Sequence, residues 1–504
     1  MIDAVPNLRI GKGRRRIFDD REITKDNIIQ ILFDALNIHR LNVSDMQFLL
    51  DYYKGQQNIL KRQAPSTSDI NNRVVLNYAH SSIRDIIGYT FGKPIQFVPR
   101  KTKYKKEIEK LSDIFEYENA STTDNEVATF AGICGIGYLC TLPSKELSSE
   151  NMPDIPISIN NLDVLSTFVI QSSSIGHPVR LSCTYWTDKK FTYFTVFTDT
   201  QIFYIKSTGN GTLSHTRNEV IEDVNILGLN PIQMVENNNF LMGDFEVAIS
   251  VLDALNQIAS DSVNDVENVI KSLLVIINSE LDDKTENVKK NRVLELLGAP
   301  GANVDAKFLY QQIDSLGIGN LREYLEEAYK TIIGIPDRKT RGGGGGDTGD
   351  AVKLRDGWAD IEIVARIKEN YFKMAKKKQI AVAIKILQLL GLIKHNLKTI
   401  DIDVKFSRNK NDNLQVKAQA FSTLHGTKAL DPTDALEMCD LTTDVVDVAK
   451  RGEKYWEQKE NAQKETNNPN DENPDDNNSN NDNNTDDNTN DNNDDKNNKK
   501  EQWY

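Results

Sequence analysis

The chain has 504 residues, 38% of them hydrophobic, and a formal net charge of −13. A chain of this length is expected to form two or more packed domains. Residues 465–504 include twelve acidic and three basic residues, a net −9, so the rest of the chain carries only about −4. This charge distribution neither requires nor excludes a nucleic-acid partner, and local charge must decide.

The cysteines and the hydropathy pattern indicate a reducing compartment and no membrane segment. Four cysteines without a CxxC pair are too few for a disulfide framework, and we expect them to be small buried apolar residues. Acidic residues follow Arg16 where a signal peptide would need an apolar run. The longest apolar candidate, 380–393, is interrupted by Lys385 and Gln388 and is shorter than the roughly 18 residues of a membrane span. We expect a soluble protein that is intracellular when made.

The first part of the chain is predicted to be helical, after a polar and basic N-terminal arm at residues 1–25 that we expect to be loose. Helices are predicted over 26–55, 71–89, 105–117 and 124–133. Gly55 ends the first helix, and glycine and proline follow the second.

Between residues 137 and 235 the pattern changes to the alternation of an antiparallel β region. One strand face is predicted to hold Phe191, Tyr193, Thr195 and Phe197, and after a turn Ile202, Tyr204 and Lys206. The Asn210-Gly211 pair is typical of a tight hairpin, because both residues tolerate the positive φ angles that it needs.

Two long helices with a small β insert between them are predicted after residue 244. Apolar residues in the first recur at steps of three, four or seven, namely Ile249, Leu252, Ala259, Val263, Val266 and Ile270. This stripe covers about 25 residues, or roughly 38 Å at 1.5 Å per residue. Strands are predicted over 273–277, 292–297 and 307–313, and the second helix over 321–333. The layout suggests a rod with a knob at one end.

Residues 334–350 are predicted to form a flexible loop, because 342–346 is an unbroken run of glycines. Three cations precede the run: Arg338, Lys339 and Arg341. Beside a glycine hinge these side chains could contact phosphate groups. Taken in isolation, an ordinary solvated loop is the simpler interpretation.

The C-terminal part is predicted to be helical and then disordered. A long helix is predicted from 351 to about 390, with Gly391 at its end, followed by a strand over 399–406. Residues 413–460 contain at least two more helices, one of them starting with Asp431 as N-cap and Pro432 as first helical residue. From about residue 467 the chain is almost entirely Asn and Asp and cannot bury apolar surface.

The sequence contains no recognisable enzyme motif. It has no GxxxxGK[ST], no HExxH and no GxSxG, and its six histidines are scattered without metal-ligand spacing. Gly132, Gly135 and Gly137 lead from a helix into a strand, whereas a dinucleotide fingerprint leads from a strand into a helix. We therefore expect a tight turn there, no catalytic residues, no metal and no cofactor.

Several short sequences occur in an order that resembles a known family. They are DYYKG at 51–55, NRV at 72–74, NYA at 77–79, GY at 88–89, FGKPI at 91–95, NN at 237–238 and GDFE at 243–246. None is chemically specific alone, but their order over residues 26–460 resembles the portal proteins of tailed bacteriophages. The resemblance is to the long-tailed siphophage type of Gram-positive hosts.

The resemblance implies an α+β portal fold and a structural, non-enzymatic function. Such proteins form a ring of about twelve copies at one capsid vertex, around a channel for packaging and ejecting double-stranded DNA. The implied partners are the terminase large subunit, the major capsid or scaffolding protein and a head–tail adaptor. The implied location is the virion, after assembly in the host cytoplasm.

The resemblance also implies a division of the chain. After the N-terminal arm, the implied parts are a wing at 26–243, a stem helix at 244–270, a clip at 271–315, a second stem helix at 316–333, a tunnel loop at 334–350, a long helix and wing strand at 351–412, a crown at 413–463 and a disordered tail at 464–504. The tunnel loop would bring Arg338, Lys339 and Arg341 to the DNA.

Two rival hypotheses belong to other classes. The chain could be a head–tail or baseplate scaffold that never contacts DNA, in which case we expect a monomer or a hexamer without a pore. It could also be an enzyme whose site is assembled from scattered residues, in which case the purified protein should hold a metal or cofactor.

Overall fold

The computed structural model describes residues 11–64, 70–144, 156–208, 213, 218–270, 273–277, 293–296, 305–309, 315–336, 358–393, 396–408, 414–426, 431–439, 441–442 and 445–466. The helices in these ranges are α1 (Ile28–Tyr53), α2 (Tyr78–Phe91), α3 (Lys105–Tyr117), α4 (Ala120–Cys134), α5 (Ile249–Ile270), α6 (Ser315–Ile333), α7 (Trp358–Leu389), α8 (Leu414–Gly426), α9 (Pro432–Met438) and α10 (Val445–Thr466). The strands are β1 (Gln96–Pro99), β2 (Ile136–Pro143), β3 (Ile157–Asn161), β4 (Thr167–Gln171), β5 (Val179–Thr187), β6 (Thr192–Thr198), β7 (Gln201–Ser207), β8 (Asn218–Val224), β9 (Ile232–Glu236), β10 (Leu273–Ile277), β11 (Val293–Leu296), β12 (Asp305–Leu309) and β13 (Ile402–Lys405). The chain is therefore mixed α+β, as predicted.

A five-stranded antiparallel sheet packs against the N-terminal half of α1. Its strands follow the chain order from β4 to β8. Phe194 and Val196 of β6 point into the core beneath α1, together with Phe203 of β7. The register pairs Tyr193 with Lys206 and Phe197 with Ile202. The side chains predicted to share one face therefore do so, on the face opposite the α1 core.

A second core surrounds the three-stranded sheet β3-β2-β9. The C-terminal half of α1 packs there with α2, α4 and the first turns of α5. The tight turn that was predicted lies between α4 and β2, with Gly135 at the turn, Gly132 in the last turn of α4 and Gly137 in β2. Gly135 has φ +85°, and a Cβ on it would lie 2.0 Å from the Leu241 carbonyl oxygen, so a side chain cannot fit.

A third core joins parts of the chain that are far apart in sequence. Strand β1 pairs antiparallel with β13, with Gln96 opposite Lys405. Helix α3 and the C-terminal half of α7 cover this pair, with Leu111, Ile380 and Leu387 buried between them. The predicted strand at 399–406 is shorter than expected, because a 3₁₀ turn occupies Thr399–Asp401.

The segment after α5 has the β insert that was predicted. Strand β10 lies in the middle of a three-stranded sheet, parallel to β11 and antiparallel to β12. Helix α6 then runs back from this sheet. Its Tyr329 and Ile333 share a core with Ile249 and Leu252 at the start of α5, so the two helices are antiparallel.

Two predictions about the N-terminal third were wrong. Part of the N-terminal arm is not loose: Arg14 and Ile17 are buried, and Asp19 N donates to the Gln171 carbonyl at 3.0 Å. Helix α2 begins at Tyr78 instead of residue 71, because residues 70–77 are extended along α5. The Asn77 side chain caps the helix by accepting from His80 N at 3.3 Å.

The remaining predictions about local structure have mixed outcomes. Asp431 caps α9, accepting the Thr433 N–H at 2.9 Å, as predicted. All four cysteines are free and buried, and burial raises the pKa of the Cys140 thiol to about 12. The Asn210-Gly211 turn and the tail from residue 467 lie outside the described residues.

Candidate DNA-contacting segment and the helices that hold it

The three cations predicted to contact DNA lie outside the described residues. The structure describes the chain as far as Pro336 and again from Trp358, so Arg338, Lys339 and Arg341 are not brought together with any other group in it. What the structure does describe is the pair of anchor points at either side of this segment.

The two anchor points touch each other. The end of α6 is closed by hydrogen bonds from Gly334 N to the Thr331 carbonyl at 3.3 Å and from Ile335 N to the Lys330 carbonyl at 3.0 Å. Gly334 has φ +72°, and a Cβ on it would lie 2.8 Å from Cγ2 of Val364 in the second turn of α7. The end of α6 therefore lies close to the first turns of α7.

The first turns of α7 are fixed by charged groups. Glu362 accepts a hydrogen bond from the Tyr89 hydroxyl at 2.9 Å and pairs with Arg408 at 3.0 Å. Arg408 also pairs with Glu369, two turns further along the helix, at 2.7 Å. Burial raises the pKa of Glu369, and the Arg408 charge opposes that rise. One arginine thus joins two turns of α7 to the end of the β13 strand segment.

Helix α6 is anchored through tyrosines. The Tyr78 hydroxyl donates to Glu326 Oε1 at 3.0 Å, and the Tyr329 hydroxyl lies 2.5 Å from Ser82 Oγ. Burial raises the pKa of Tyr78 to about 12, and the Glu326 carboxylate adds to the rise. These contacts fix α6 to α2 near its C-terminal end, just before the undescribed segment.

The start of α5 is held by a cluster of buried charges that sequence reasoning missed. Glu246 is completely buried, accepts from Gly243 N at 3.0 Å and pairs with Arg14 at 2.9 Å. Asp244 pairs with Lys368 of α7 at 2.8 Å, and Asn237 bonds to both. The NN and GDFE sequences are therefore structural: they tie the N-terminal arm and α7 to the root of α5. In the sequence, only the acidic residues of GDFE indicate that such ion pairs form.

A second buried ion pair joins α7 to α4. Lys376 Nζ lies 2.7 Å from both carboxylate oxygens of Asp124, and 5.1 Å from the centre of the Phe115 ring. The two side chains are 1% and 5% exposed. Burial lowers the pKa of Lys376 and raises that of Asp124, while their mutual attraction opposes both shifts.

The apolar stripe of α5 is covered for only half its length. Ile249 and Leu252 are completely buried in the second core. Fourteen residues further on, Val263 and Val266 lie on the same side of the helix, because fourteen residues make almost four whole turns. Val263 and Val266 are 43% and 54% exposed, and Ile270 after them is 78% exposed. Outside the half of α5 that lies in the second core, nothing in the described residues covers this stripe.

The neighbouring helices also carry exposed apolar residues. On α6 these are Leu316, Leu321, Tyr324 and Ile332, and on α7 they are Ile363, Ile367, Met374 and Leu389. Since α5 and α6 are antiparallel, the exposed end of α5 lies level with the start of α6. Apolar side chains exposed in such groups mark surfaces that bind other protein chains.

The described residues contain neither a metal cluster nor a membrane helix. Among them, no three His, Cys, Asp or Glu side chains come together to hold a metal ion. No helix in the described ranges is both long and apolar enough to cross a membrane.

Groups of exposed apolar side chains along long helices are typical of a protein that is built into a larger assembly. The comparison with known families identifies which assembly. Residues 33–472 match the family described as phage portal protein, SPP1 Gp6-like, and the chain belongs to this family. No curated protein matches the chain.

Proposed function

We propose that this portal protein forms a closed ring of about twelve copies at one capsid vertex, and that double-stranded DNA is packaged and ejected through its channel. The observation that supports the ring is the half-covered stripe of α5. It is continuous with the core at Ile249 and Leu252, yet Val266 and Ile270 are more than half exposed.

The free energy of covering this stripe favours assembly. Full burial of a Val or Ile side chain is worth about 1.5–3 kcal/mol relative to exposure. Covering the exposed part of Val263, Val266 and Ile270 therefore contributes a few kcal/mol per subunit, and every subunit in a ring has this contact. We propose that the start of α6 in the next copy, at Leu316 and Leu321, is the cover.

The geometry of such a contact leads to a ring. One copy contributes α5 and the next contributes α6, so the two sides of the interface differ. An interface of this heterologous kind cannot close a dimer; it repeats from copy to copy, and it gives a ring when the rotation closes and an open filament when it does not.

The DNA contact is proposed for Arg338, Lys339 and Arg341. Their segment is flanked by α6 and α7, which touch each other at Gly334 and Val364, and the Arg408 ion pairs hold this part of α7. About twelve copies of three cations would give diffuse, salt-sensitive contact with phosphates and no base reading, which suits DNA that must slide.

The proposed partners are those that the resemblance to portal proteins implies. We propose that the three-stranded sheet β11-β10-β12, at the far end of α5 and α6, meets the terminase large subunit and later a head–tail adaptor. The helices and strands before α5 would contact the major capsid or scaffolding protein. The proposed location is the virion, after assembly in the host cytoplasm.

The first experiment is native mass spectrometry with negative-stain microscopy of the full chain. We expect a ring with a central hole wide enough for a DNA duplex. The variant Val266→Asp, which places a charge in the stripe, should lower the ring fraction at least tenfold. Its matched control is Asn268→Asp, because Asn268 is an exposed residue of the same turn away from the stripe. A compact oligomer without a pore would contradict the portal channel and support the scaffold hypothesis.

A further inference from the structure

An extended segment of the chain is hydrogen-bonded to the side of helix α5. The backbone N–H groups of Leu76, Val74 and Asn72 donate in turn to Asn256 Oδ1 at 2.7 Å, Ser260 Oγ at 2.9 Å and Asn264 Oδ1 at 2.8 Å. We call these three helix side chains the polar ladder. The backbone of 70–77 thus bonds to helix side chains where a strand would bond to another strand.

The spacing of the two elements explains why this arrangement fits. Ladder residues are four apart on the helix, about 6.0 Å at 1.5 Å per residue. Alternate N–H groups of an extended chain are about 6.6 Å apart. Each turn of α5 therefore meets one outward N–H of the segment, and the match is kept over three successive contacts.

The ladder is buried and further bonds reinforce it. Asn256 and Ser260 are completely buried and Asn264 is 8% exposed. Asn256 Nδ2 donates to Gln57 Oε1 at 2.5 Å, and Asn72 Nδ2 donates to Glu267 Oε2 at 2.7 Å. Burying polar groups is costly unless their hydrogen bonds are made, so these side chains cannot turn away from the segment without loss.

The ladder begins where the apolar cover of α5 ends. Apolar contact is non-directional and tolerates some rotation of a helix, whereas hydrogen bonds at these distances restrict it. Leu255 is the last completely buried apolar residue of α5, and Asn256 follows it directly. Over the exposed half of the helix, the polar ladder restricts the direction of Val263, Val266 and Ile270, together with the ion pair between Arg62 and Asp261 at 2.6 Å and the packing of α6.

We infer that Asn256, Ser260 and Asn264 are positioning residues for ring assembly. They fix the rotation of α5 about its own axis, and with it the direction in which the apolar stripe meets the next copy. This inference rests on the proposed ring. It implies that the number of copies in the ring is set in part by side chains that do not contact the neighbouring copy.

The test compares copy-number distributions measured by native mass spectrometry on the full chain. The variant Ser260→Ala/Asn264→Ala removes two acceptors from the ladder. Gln257→Ala/Asn268→Ala removes two exposed polar groups from the same helix and is the matched control. Ser260→Thr keeps the hydroxyl and tests for rescue.

We expect wild type, the control and Ser260→Thr to give one dominant ring. The ladder variant should give at least two ring sizes, with the wild-type size at half the total or less. If wild type forms a ring and the ladder variant gives the same single size, even at a lowered melting temperature, the ladder is merely structural and the inference fails. If wild type forms no ring, the proposed function fails with it.

Folding of the variants is checked by circular dichroism. If the double variant has lost its helical signal, Asn264→Ala alone takes its place, because Asn264 is at the outer end of the ladder and is the most exposed of the three. The same two outcomes then decide the inference.

Discussion

The buried pair of Asp124 and Lys376 gives the sharpest stability prediction. Replacing Asp124 with Asn keeps the shape of the side chain but leaves the ammonium of Lys376, 1% exposed, without its counter-charge. Removing one partner of a buried ion pair costs about 3–5 kcal/mol, because the remaining charge stays desolvated. A loss of about 4 kcal/mol lowers the folding equilibrium constant roughly a thousandfold.

The double variant Asp124→Asn/Lys376→Met separates charge from packing. It removes both charges at similar volume, and replacing a buried pair in this way is often neutral or stabilising. We therefore expect it to recover most of the stability that Asp124→Asn loses. A coupling free energy calculated from the two single variants and the double variant should exceed about 1 kcal/mol.

The pH dependence supplies a second measure of the same effect. Without Asp124, burial keeps the pKa of Lys376 below its ordinary value. A lysine with a lowered folded-state pKa loses stability as pH falls below its unfolded value, since the unfolded chain then binds the proton more readily. The deficit of Asp124→Asn relative to the double variant should therefore shrink as the pH is raised from 7 towards 10.

The assay is urea unfolding followed by circular dichroism at one fixed protein concentration, because assembly makes the midpoint concentration-dependent. The reasoning would be refuted by a double variant as unstable as Asp124→Asn at every pH. The cost would then come from replacing the Asp124 carboxylate itself, which both variants lack, and not from an unpaired ammonium.

Three further predictions concern other parts of the chain. Replacing Arg338, Lys339 and Arg341 together with Ala should lower DNA packaging while leaving rings intact in negative stain; unchanged packaging would contradict the DNA contact. Deleting residues 467–504 should leave ring assembly unchanged, as judged by native mass spectrometry, and loss of rings would show that the tail is not inert. Burial lowers the pKa of His39 to about 4. The free energy of unfolding should therefore fall by up to about 3 kcal/mol as the pH falls from 6.5 towards 4. His39→Gln should flatten that dependence in urea titrations, and an unaltered pH profile would show that His39 is not its source.

Local patterns predicted much of the secondary structure. Helix α3 has the predicted bounds, and the register between β6 and β7 confirms the shared face of Tyr193 and Lys206. These elements depend on hydrophobic period and turn residues, which are visible within a window of about ten to eighteen residues. The prediction of strands between α5 and α6 succeeded for the same reason.

The errors arose where distant residues decide the structure. Residues 71–77 have a helical pattern, yet three of their N–H groups bond to α5, almost 200 positions away. The N-terminal arm looked like a solvated basic segment, but Glu246, 232 residues from Arg14, takes up its charge. No local window contains either partner, so no local rule could have predicted these contacts.

The site predicted at Arg338, Lys339 and Arg341 stays a prediction, because these residues lie outside the described residues. The family, in contrast, could be recognised from short sequences whose chemistry is modest. The structure shows why the NN and GDFE sequences are informative: Asn237, Asp244 and Glu246 hold the root of α5 through buried hydrogen bonds.

In the proposed ring, the polar ladder on α5 would limit the angular error at each interface between copies. Twelve copies require a turn of 30° from each neighbour to the next, and thirteen require about 28°. A helix that could roll by only a few degrees would blur that difference, since the same error recurs at every interface around the circle. On this proposal, the three hydrogen bonds along one side of α5 set that angle within each subunit, before a second subunit is present.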